Sequence, residues 1–280
     1  MGERPLTVGI VNCTPDSFSD GGAYATSQDA VRAGLQMLEE GADWLDVGGE
    51  STRPGSSGVP PGAQLDRVLP VLRGLRAVVD APLSVDTMSP TVARAALDAG
   101  ADIVNDVSAC RDPGWRGLLL DRDAPIILMH MRGTPLDMQV DPEYPQGVTR
   151  TVLAFFEERL GALEEWGVSR ERVILDPGIG FGKRVKDNLE LIRNIDRFHA
   201  LGRPIFIGAS RKGFLEKAVA ESGGDEGFAG DDRDLYTLII NAIALSRGAH
   251  CLRVHNVRYT AALARLHAAV LGGCPSGAPG

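Results

Sequence analysis

Residues 81–107, APLSVDTMSPTVARAALDAGADIVNDV, contain the pattern that decides the fold. Two short apolar runs, Leu83–Val85 and Ile103–Val104, flank an amphipathic stretch at Pro90–Ala99, and Gly100 follows where a helix would end. Continuous apolar runs indicate strands that are buried on both faces, and a helix between two of them indicates a parallel pair. The stretch therefore predicts one β–α–β unit.

The same alternation continues along the whole chain. The other apolar runs are Val8–Val11, Trp44–Val47, Ile126–Met129, Val173–Leu175, Ile205–Ile207 and Cys251–Val254. The other helical patterns are Gln28–Glu40, Gln64–Val79, Gly147–Trp166, Asn188–Ala200 and Thr260–Val270. Eight such units predict an α/β fold, a single-domain (β/α)8 TIM barrel over residues 1–272 with a flexible tail at 273–280. A doubly wound open sheet is the alternative.

Composition excludes several classes of protein. The chain has 280 residues, of which 44% are hydrophobic and 24% charged, and this balance excludes wholesale disorder. Its formal charge of −8 argues against a nucleic-acid partner. No apolar run approaches the roughly 18 residues of a membrane helix, and no signal peptide pattern begins the sequence. With four scattered cysteines as well, we expect a cytoplasmic protein that has no membrane partner.

Polar residues end nearly every predicted strand. They are Asn12, Asp46, Asp86, Asn105 with Asp106, His130, Asp176, Ser210 with Arg211 and Lys212, and Arg253 with His255. One Asp after a strand is usually a helix N-cap, but eight polar ends in register are harder to explain by capping alone. In a barrel these ends share the face that carries the chemistry, so they predict an active site. We expect His130 to be a hydrogen-bonded core histidine that lines the pocket.

Six segments carry a more specific pattern. They are Asn12–Gly22 (NCTPDSFSDGG), Asp46–Gly55 (DVGGESTRPG), Ser84–Thr87, Asp176–Lys183 (DPGIGFGK), Gly208–Lys212 (GASRK) and Arg253–His255. Together, and in this order, they resemble the dihydropteroate synthase family of pterin-binding enzymes, from about Val8 to about Val270. The glycine-rich run before Lys183 is not a P-loop, because the glycine–lysine spacing is too short and Arg184 replaces Ser or Thr.

The resemblance implies a transferase of folate biosynthesis. Members join p-aminobenzoate to 6-hydroxymethyl-7,8-dihydropterin pyrophosphate, which gives 7,8-dihydropteroate and pyrophosphate, with Mg²⁺ as the cofactor. We expect a dissociative displacement, in which departure of pyrophosphate builds positive charge on the pterin methylene carbon. The resemblance also implies small-molecule substrates, a homodimer and a pocket that binds sulfonamides.

The resemblance assigns roles to the pterin-facing residues. Asp176 accepts a bidentate hydrogen bond from the pterin ring, and Asn105 and Lys212 help to bind it. Asp86 also faces the pterin, and together with Asp46 it stabilises the positive charge that develops on carbon. The implied pterin site therefore contains three carboxylates and one lysine.

The resemblance also assigns the anion, metal and aniline sites. Asn12 is the Mg²⁺ ligand, and Arg253 and His255 bind pyrophosphate beside the N-terminus of the last helix. The residues implied for p-aminobenzoate are Phe18, Thr52, Arg53, Pro54, Phe181 and Ser210, with Arg211 as a further candidate. The glycine- and serine-rich loop around Arg53 has the composition of a mobile lid.

Three residues depart from the family's usual pattern. Asn256 stands where Asp usually follows the last histidine, and since both residues cap helices about equally, we expect the cap to survive. Gln64 stands where Glu is common and is expected to be peripheral. Tyr236 replaces a small residue in a helix that commonly contributes to the dimer surface. The segment Glu221–Asp234 before that helix is acidic and is expected to be an exposed insertion.

Two other functions compete with a synthase. A barrel of the methyltetrahydrofolate methyltransferase kind shares pterin-facing Asp and Asn residues, but it has no reason to keep Asn12, Ser51–Pro54 or the Arg253 and His255 pair. The sequence excludes a non-catalytic paralogue, or one that condenses another aniline, less well, because Tyr236 and Asn256 depart from the family's pattern. Formation of product, as opposed to binding of pterin alone, separates that paralogue from a synthase.

Overall fold

The computed structural model describes residues 4–14, 26–53, 55–223 and 233–271. Phe18, Pro54 and the predicted tail at 273–280 lie outside these ranges. The strands are β1 (Leu6–Asn12), β2 (Trp44–Gly48), β3 (Leu83–Asp86), β4 (Ile103–Asp106), β5 (Ile126–Met129), β6 (Val173–Asp176), β7 (Phe206–Ile207) and β8 (Cys251–Val254). The helices are α1 (Ser27–Glu39), α2 (Pro61–Arg76), α3 (Pro90–Asp98), α4 (Gly114–Asp121), α5 (Val148–Glu165), α6 (Val185–Arg193), α7 (Phe214–Glu221), α8 (Arg233–Ser246) and α9 (Val257–Val270).

The eight described strands are all parallel and form one ring. Their order is β6–β5–β4–β3–β2–β1–β8–β7, so the first strand pairs with both the second and the last. The ring closes between β6 and β7 through an isolated parallel bridge from Leu175 to Ile205. The predicted (β/α)8 barrel is confirmed, and the open doubly wound sheet is excluded. None of the described helices is long and apolar enough to cross a membrane.

Apolar side chains cover both faces of the strands, which is why the strand sequences are continuously apolar. On β2, Leu45 and Val47 pack into the large core between strands and helices. Trp44, on the alternate face, belongs to a separate and smaller apolar cluster, in which it stacks on Phe206 with ring centroids 6.1 Å apart. Asp46 shares the face of Trp44, so the interior changes from apolar to polar toward the carboxyl ends of the strands.

Several helix ends have the capping residues that the sequence predicts. Gly41, Gly100 and Gly167 each follow a helix with positive φ, at 105°, 103° and 91°. Asn256 caps α9 by accepting a hydrogen bond from the backbone N–H of Tyr259 at 3.3 Å. The expectation that Asn would preserve this cap is confirmed.

One predicted helix is partly wrong. The pattern Asn188–Ala200 predicts a continuous helix, but α6 ends at Arg193 and a 3₁₀ helix covers Ile195–Leu201. Asn194 separates the two, and its side-chain amide donates to the carbonyl of Glu190 at 2.9 Å. An Asn that bonds its own backbone in this way competes with continued helix. The predicted insertion at 221–234 includes the last residue of α7 and the first two of α8, and its residues 224–232 lie outside the described ranges.

Candidate active site

Four neighbouring strand ends form one row at the mouth of the barrel. In the register of the sheet, Asn12 is paired with Gly48, Gly48 with Asp86, and Asp86 with Asn105. Asp86 and Asn105 are buried. The polar ends that the sequence singles out on β1 to β4 therefore do converge.

Arg253 joins two of the predicted carboxylates. Its Nε donates to Asp46 Oδ2 at 2.6 Å and its Nη2 donates to Asp86 Oδ2 at 2.9 Å. The fully buried Asp46 also accepts hydrogen bonds from Asn105 Nδ2, at 3.1 Å, and from the Ser84 hydroxyl. Burial raises the pKa of Asp86 and Arg253 opposes that rise, while the two carboxylates hold the pKa of Arg253 above its usual value against the effect of burial. The cluster places one buried cation between two carboxylates.

Asp176 and Lys212 form the other charged part of the mouth. Asp176 Oδ1 accepts a hydrogen bond from the backbone N–H of Gly178 at 2.8 Å. The Lys212 ammonium donates to the carbonyl of Ile179 and lies 4.2 Å from the centroid of the Phe181 ring. Burial raises the pKa of Asp176 and lowers that of Lys212 to about 7, and each charge partly offsets the shift of the other. Asp176, Lys212 and the Phe181 ring therefore lie together at the mouth of the barrel.

His255 is a neutral hydrogen-bonding group in this environment. Burial, with help from Arg211 and Arg253, lowers its pKa to about 3. Its backbone N–H donates to Ser210 Oγ at 3.2 Å, and the Ser210 hydroxyl lies 3.0 Å from His255 Nδ1. Since a hydroxyl oxygen has two acceptor positions, the histidine tautomer decides which of the two groups donates in this second bond.

Arg211 contacts α8. Its Nε and Nη2 donate to the carboxylate of Asp234 at 2.6 and 2.9 Å. Asn256 donates to the same carboxylate at 3.0 Å, in addition to capping α9. The Asn that departs from the family pattern therefore bonds to Asp234 where an Asp would repel it.

The loop between β2 and α2 reaches across the mouth. Thr52 and Arg53 lie on it, and the Arg53 carbonyl accepts a hydrogen bond from the Ser56 hydroxyl at 2.7 Å. The backbone N–H of Gly55 donates to the carbonyl of Pro135, in the β5–α5 loop, at 2.9 Å. The loop that carries two of the predicted p-aminobenzoate residues is thus joined to the loop of another strand.

Gln64 fixes the base of that loop, so the expectation that it is peripheral is wrong. It is 3% exposed, and its amide nitrogen donates to Glu50 Oε2 at 3.1 Å and to the Val59 carbonyl at 2.9 Å. Its amide oxygen accepts from the Thr87 hydroxyl at 2.8 Å. Glu50 Oε1 accepts from the Val59 N–H at 2.7 Å. Both ends of the loop are therefore bonded to Gln64, which is bonded in turn to Thr87, the residue that follows Asp86.

Sequence reasoning missed two further polar groups at the mouth. Ser84 precedes Asp86 by two residues and bonds Asp46, as noted above. Lys183 is buried and its ammonium lies 3.0 Å from His130 Nδ1, which confirms His130 as a hydrogen-bonded core histidine. Burial and the Lys183 charge hold the pKa of His130 well below its usual value. The position of Lys183, at the end of a glycine-rich run, was the available signal.

The donor set is compatible with one Mg²⁺ ion held largely by substrate. The described residues contain no group of three His, Cys, Asp or Glu side chains that could hold a metal. Asn12 supplies an amide oxygen at the end of β1, which is the hard ligand type that Mg²⁺ prefers. Since Mg²⁺ usually keeps several waters and binds substrate phosphates, one protein ligand fits it.

Fold and site together define a class of protein. It is a (β/α)8-barrel enzyme whose mouth brings together buried carboxylates, cations and a neutral histidine, and such a mouth suits a polar, anionic small molecule. A family model described as pterin binding enzyme matches residues 8–255. The chain belongs to this pterin binding enzyme family.

Curated relatives are similar to the chain over most of its length. The dihydropteroate synthase of Escherichia coli is 38% identical over 268 residues, which cover 96% of this chain and 92% of that protein. A probable bifunctional folylpolyglutamate synthase/dihydropteroate synthase of Halobacterium salinarum is 44% identical over 268 residues, or 95% of this chain. The chain spans 31% of the length of that bifunctional protein.

Solved structures are also similar to this chain over most of its length. A Yersinia pestis dihydropteroate synthase in a sulfonamide drug complex has a TM-score of 0.90 at 33% identity, covering 97% of this chain and 96% of that one. The Xanthomonas albilineans enzyme with 4-aminobenzoic acid has a TM-score of 0.85 at 42% identity, covering 96% and 93%. The same enzyme with 7,8-dihydropteroate has a TM-score of 0.81 at 37% identity, covering 97% and 95%.

Proposed function

We propose that this chain is a dihydropteroate synthase, which condenses 6-hydroxymethyl-7,8-dihydropterin pyrophosphate with p-aminobenzoate. The observation that carries the proposal is the pair of charged clusters at one mouth, Asp46–Arg253–Asp86 and Asp176–Lys212. The relatives described above, which are similar over more than nine tenths of the chain, support the same reaction.

Asp176 recognises the pterin ring. Its Oδ1 is fixed by the N–H of Gly178, and its Oδ2 faces Gly208, where even an added Cβ would be 3.8 Å away. A carboxylate oriented in this way can accept the ring N–H and the amino group side by side. Lys212, across the same space, donates to a ring acceptor, and Asn105 adds a further polar contact.

The Asp46–Arg253–Asp86 cluster stabilises the charges that develop in the reaction. As pyrophosphate departs, the methylene carbon becomes positive, and the carboxylates of Asp46 and Asp86 stabilise it electrostatically. Arg253 uses Nε and Nη2 on those carboxylates, which leaves Nη1 for the departing pyrophosphate. His255 binds the pyrophosphate as a neutral group beside the N-terminus of α9, where anions are favoured. The displacement is dissociative and needs no nucleophilic side chain.

Asn12 would hold Mg²⁺ together with the substrate phosphates. When bound, the ion neutralises negative charge on the pyrophosphate and so makes it a better leaving group. The residues of the chain that bind the leaving group remain Arg253 and His255.

Four described residues bind p-aminobenzoate. Phe181 packs against its ring, and Ser210, Thr52 and Arg53 supply donors for its carboxylate. Phe18 and Pro54 belong to the same proposal. Because sulfonamides resemble this substrate in shape and charge, the site also binds them, and the sulfonamide complex of the Yersinia relative supports this.

The working enzyme is a cytoplasmic homodimer. Leu235, Ile239 and Ile243 are four residues apart on α8 and are 47%, 50% and 43% exposed, which leaves an apolar stripe suited to a second copy. Tyr236, in contrast, packs against the core and is not part of this stripe. Cys13, Cys110 and Cys251 are buried free thiols, which fits a reducing compartment.

Pyrophosphate release tests the proposal directly. The purified chain is given the dihydropterin pyrophosphate and Mg²⁺, with and without p-aminobenzoate, and both pyrophosphate and dihydropteroate are measured. We expect release that depends on the aniline and equals dihydropteroate formation. Pterin binding without an aniline-dependent product would contradict the proposal and favour a non-catalytic paralogue. A covalent pterin–enzyme adduct on the productive path would overturn the dissociative mechanism.

A further inference from the structure

Lys183 is a buried lysine whose ammonium is surrounded by backbone carbonyls. It is 3% exposed, and its Nζ donates to the carbonyls of Gly178 at 2.8 Å and Phe181 at 3.0 Å. It also lies 3.0 Å from His130 Nδ1 and 3.3 Å from the His130 carbonyl. In the part of the chain that the structure describes, no carboxylate forms an ion pair with it. Burying a lysine in this way is costly, so the contacts it makes are the reason for its position.

The segment that Lys183 holds, residues 176–183, is called the glycine loop below. Gly178, Gly180 and Gly182 have φ values of 69°, 85° and 65°, a left-handed conformation that other residues rarely adopt. These turns direct the carbonyls of Gly178 and Phe181 toward the same ammonium. A Cβ at Gly178 would stand 1.9 Å from the carbonyl oxygen of His130, so the loop also packs tightly against the end of β5.

The glycine loop carries two groups of the proposed pterin site. The N–H of Gly178 fixes Asp176 Oδ1, and the ring of Phe181 lies under the Lys212 ammonium. Lys183 bonds the carbonyl of each of these two loop residues, Gly178 and Phe181. The bond that orients the carboxylate and the ring that faces the substrate therefore depend on the same ammonium.

Lys212 bonds the same loop from the substrate side. It donates to the carbonyl of Ile179, which lies between the two carbonyls that Lys183 holds. In the proposed pterin site, Lys212 donates to the substrate as well. Lys183 is bonded to two carbonyls of the loop and to His130, so it holds the shape of the loop independently of the partners of Lys212.

We propose that Lys183 is a positioning residue for the pterin site, which fixes the glycine loop so that Asp176 and Phe181 are oriented before the substrate arrives. This inference rests on the proposed pterin-binding function. It assigns Lys183 no contact with substrate and no role in proton transfer. Its effect is therefore expected on pterin affinity first and on turnover through that.

The variant Lys183→Met tests the proposal, because Met keeps the length and apolar stem but has no N–H donors. The matched control is Lys186→Met, three residues further on, at an exposed position on α6. The pterin substrate is titrated into each folded protein without p-aminobenzoate. We expect Lys183→Met to weaken pterin binding at least tenfold, and Lys186→Met to leave it within twofold of the unchanged chain.

Hydrogen exchange distinguishes positioning from a general loss of stability. Peptides that cover residues 177–183 should exchange faster in Lys183→Met, while peptides from β1, β2 and β8 keep their rates. Lys183→Gln, which retains two N–H donors, should give intermediate binding, and it also serves as the test if Lys183→Met does not fold. A lower melting temperature with unchanged pterin affinity would overturn the proposal, as would unchanged exchange in the loop.

The binding readout keeps this inference separate from the proposed function. If the unchanged chain binds pterin but forms no dihydropteroate, the synthase proposal fails and the Lys183 experiment can still be performed. If it forms dihydropteroate and Lys183→Met binds pterin normally, only the Lys183 proposal fails.

Discussion

Arg253 and Asp46 are 207 positions apart in the chain, yet the guanidinium Nε donates to the carboxylate at 2.6 Å. The bond joins β8 to β2 inside the mouth of the barrel, across β1. Asp46 is fully buried and Arg253 largely so, and each neutralises the other in a place where an unpaired charge would be costly. The pair therefore stabilises the fold in addition to the catalytic role that we propose for it.

Replacing Arg253 should cost both stability and activity. In Arg253→Gln, the carboxylates of Asp46 and Asp86 lose their shared cation, and breaking a buried pair costs about 3–5 kcal/mol. We expect the free energy of unfolding to fall by about that amount in urea titrations, and turnover to fall at least about 100-fold. Arg233→Gln, which removes an exposed pair with Glu216, is the control and should change stability by less than about 1 kcal/mol.

Lys212→Ala should abolish turnover mainly through pterin placement. The variant removes the positive charge that faces Asp176 and the contact with the Phe181 ring. We expect pterin binding, measured by calorimetry, to weaken by at least about 100-fold, since charge-assisted bonds contribute about 1.5–3 kcal/mol each. Lys217→Ala, on α7, is the control. Full activity of Lys212→Ala would contradict the assignment.

Gln64→Glu should make stability depend on pH. The change brings a second carboxylate to within hydrogen-bond distance of Glu50, so one of the two must take a proton and its pKa rises. A carboxyl group with a raised pKa in the folded state costs stability as the pH rises past its unfolded pKa. We expect Gln64→Glu to be about 1–3 kcal/mol less stable at pH 8, and the loss to shrink toward pH 5. Gln64→Met is the control, with a loss that is independent of pH.

His255 should contribute to acid sensitivity. Its pKa is about 3 in the folded state, below the usual value of about 6.5, so the unfolded chain binds more protons between these values. Stability should therefore be lost as the pH falls from about 6.5 toward 3, by at most about 1.4 kcal/mol per pH unit. His255→Gln removes the titration, and its unfolding free energy should vary less with pH over this range. Equal pH dependence of the two proteins would contradict the assignment.

The apolar stripe on α8 should decide the oligomeric state. Ile239→Glu places a charge at the centre of the stripe formed with Leu235 and Ile243. We expect this variant to sediment as a monomer and the unchanged chain as a dimer. Leu266→Glu is the matched control, because Leu266 is 65% exposed on α9 but lies outside the stripe, and it should remain a dimer. A monomeric unchanged chain would contradict the homodimer proposal.

The sequence predicts the barrel because its signals are local. The run Ile126–Met129 has the predicted bounds in the structure, since burial on both faces requires unbroken apolar residues. The polar strand ends are equally local, because each directly follows its strand. Capping at Asn256 needs only the backbone of the following turn, and it too is predictable.

The roles of Gln64 and Lys183 are not local. Gln64 bonds residues from both ends of one loop and from the end of β3, and no spacing in the sequence brings these together. Lys183 bonds two carbonyls of its own loop and also His130, which is 53 positions away in the chain. The contacts of Gln64 with Thr87 and of Lys183 with His130 arise only when separate strand ends meet, so no spacing in the sequence predicts them.

The junction between β6 and β7 links binding at the pocket to the stability of the barrel. β7 has two residues, and an isolated bridge at Leu175 and Ile205 joins it to β6. Asp176 ends one of these strands and Lys212 follows the other, so a pterin held by both spans the seam. A ligand that binds the closed ring more tightly than an opened one stabilises the closed ring by mass action. We therefore expect proteases to cut the ligand-free barrel first beside β7, and to cut the pterin-bound barrel more slowly.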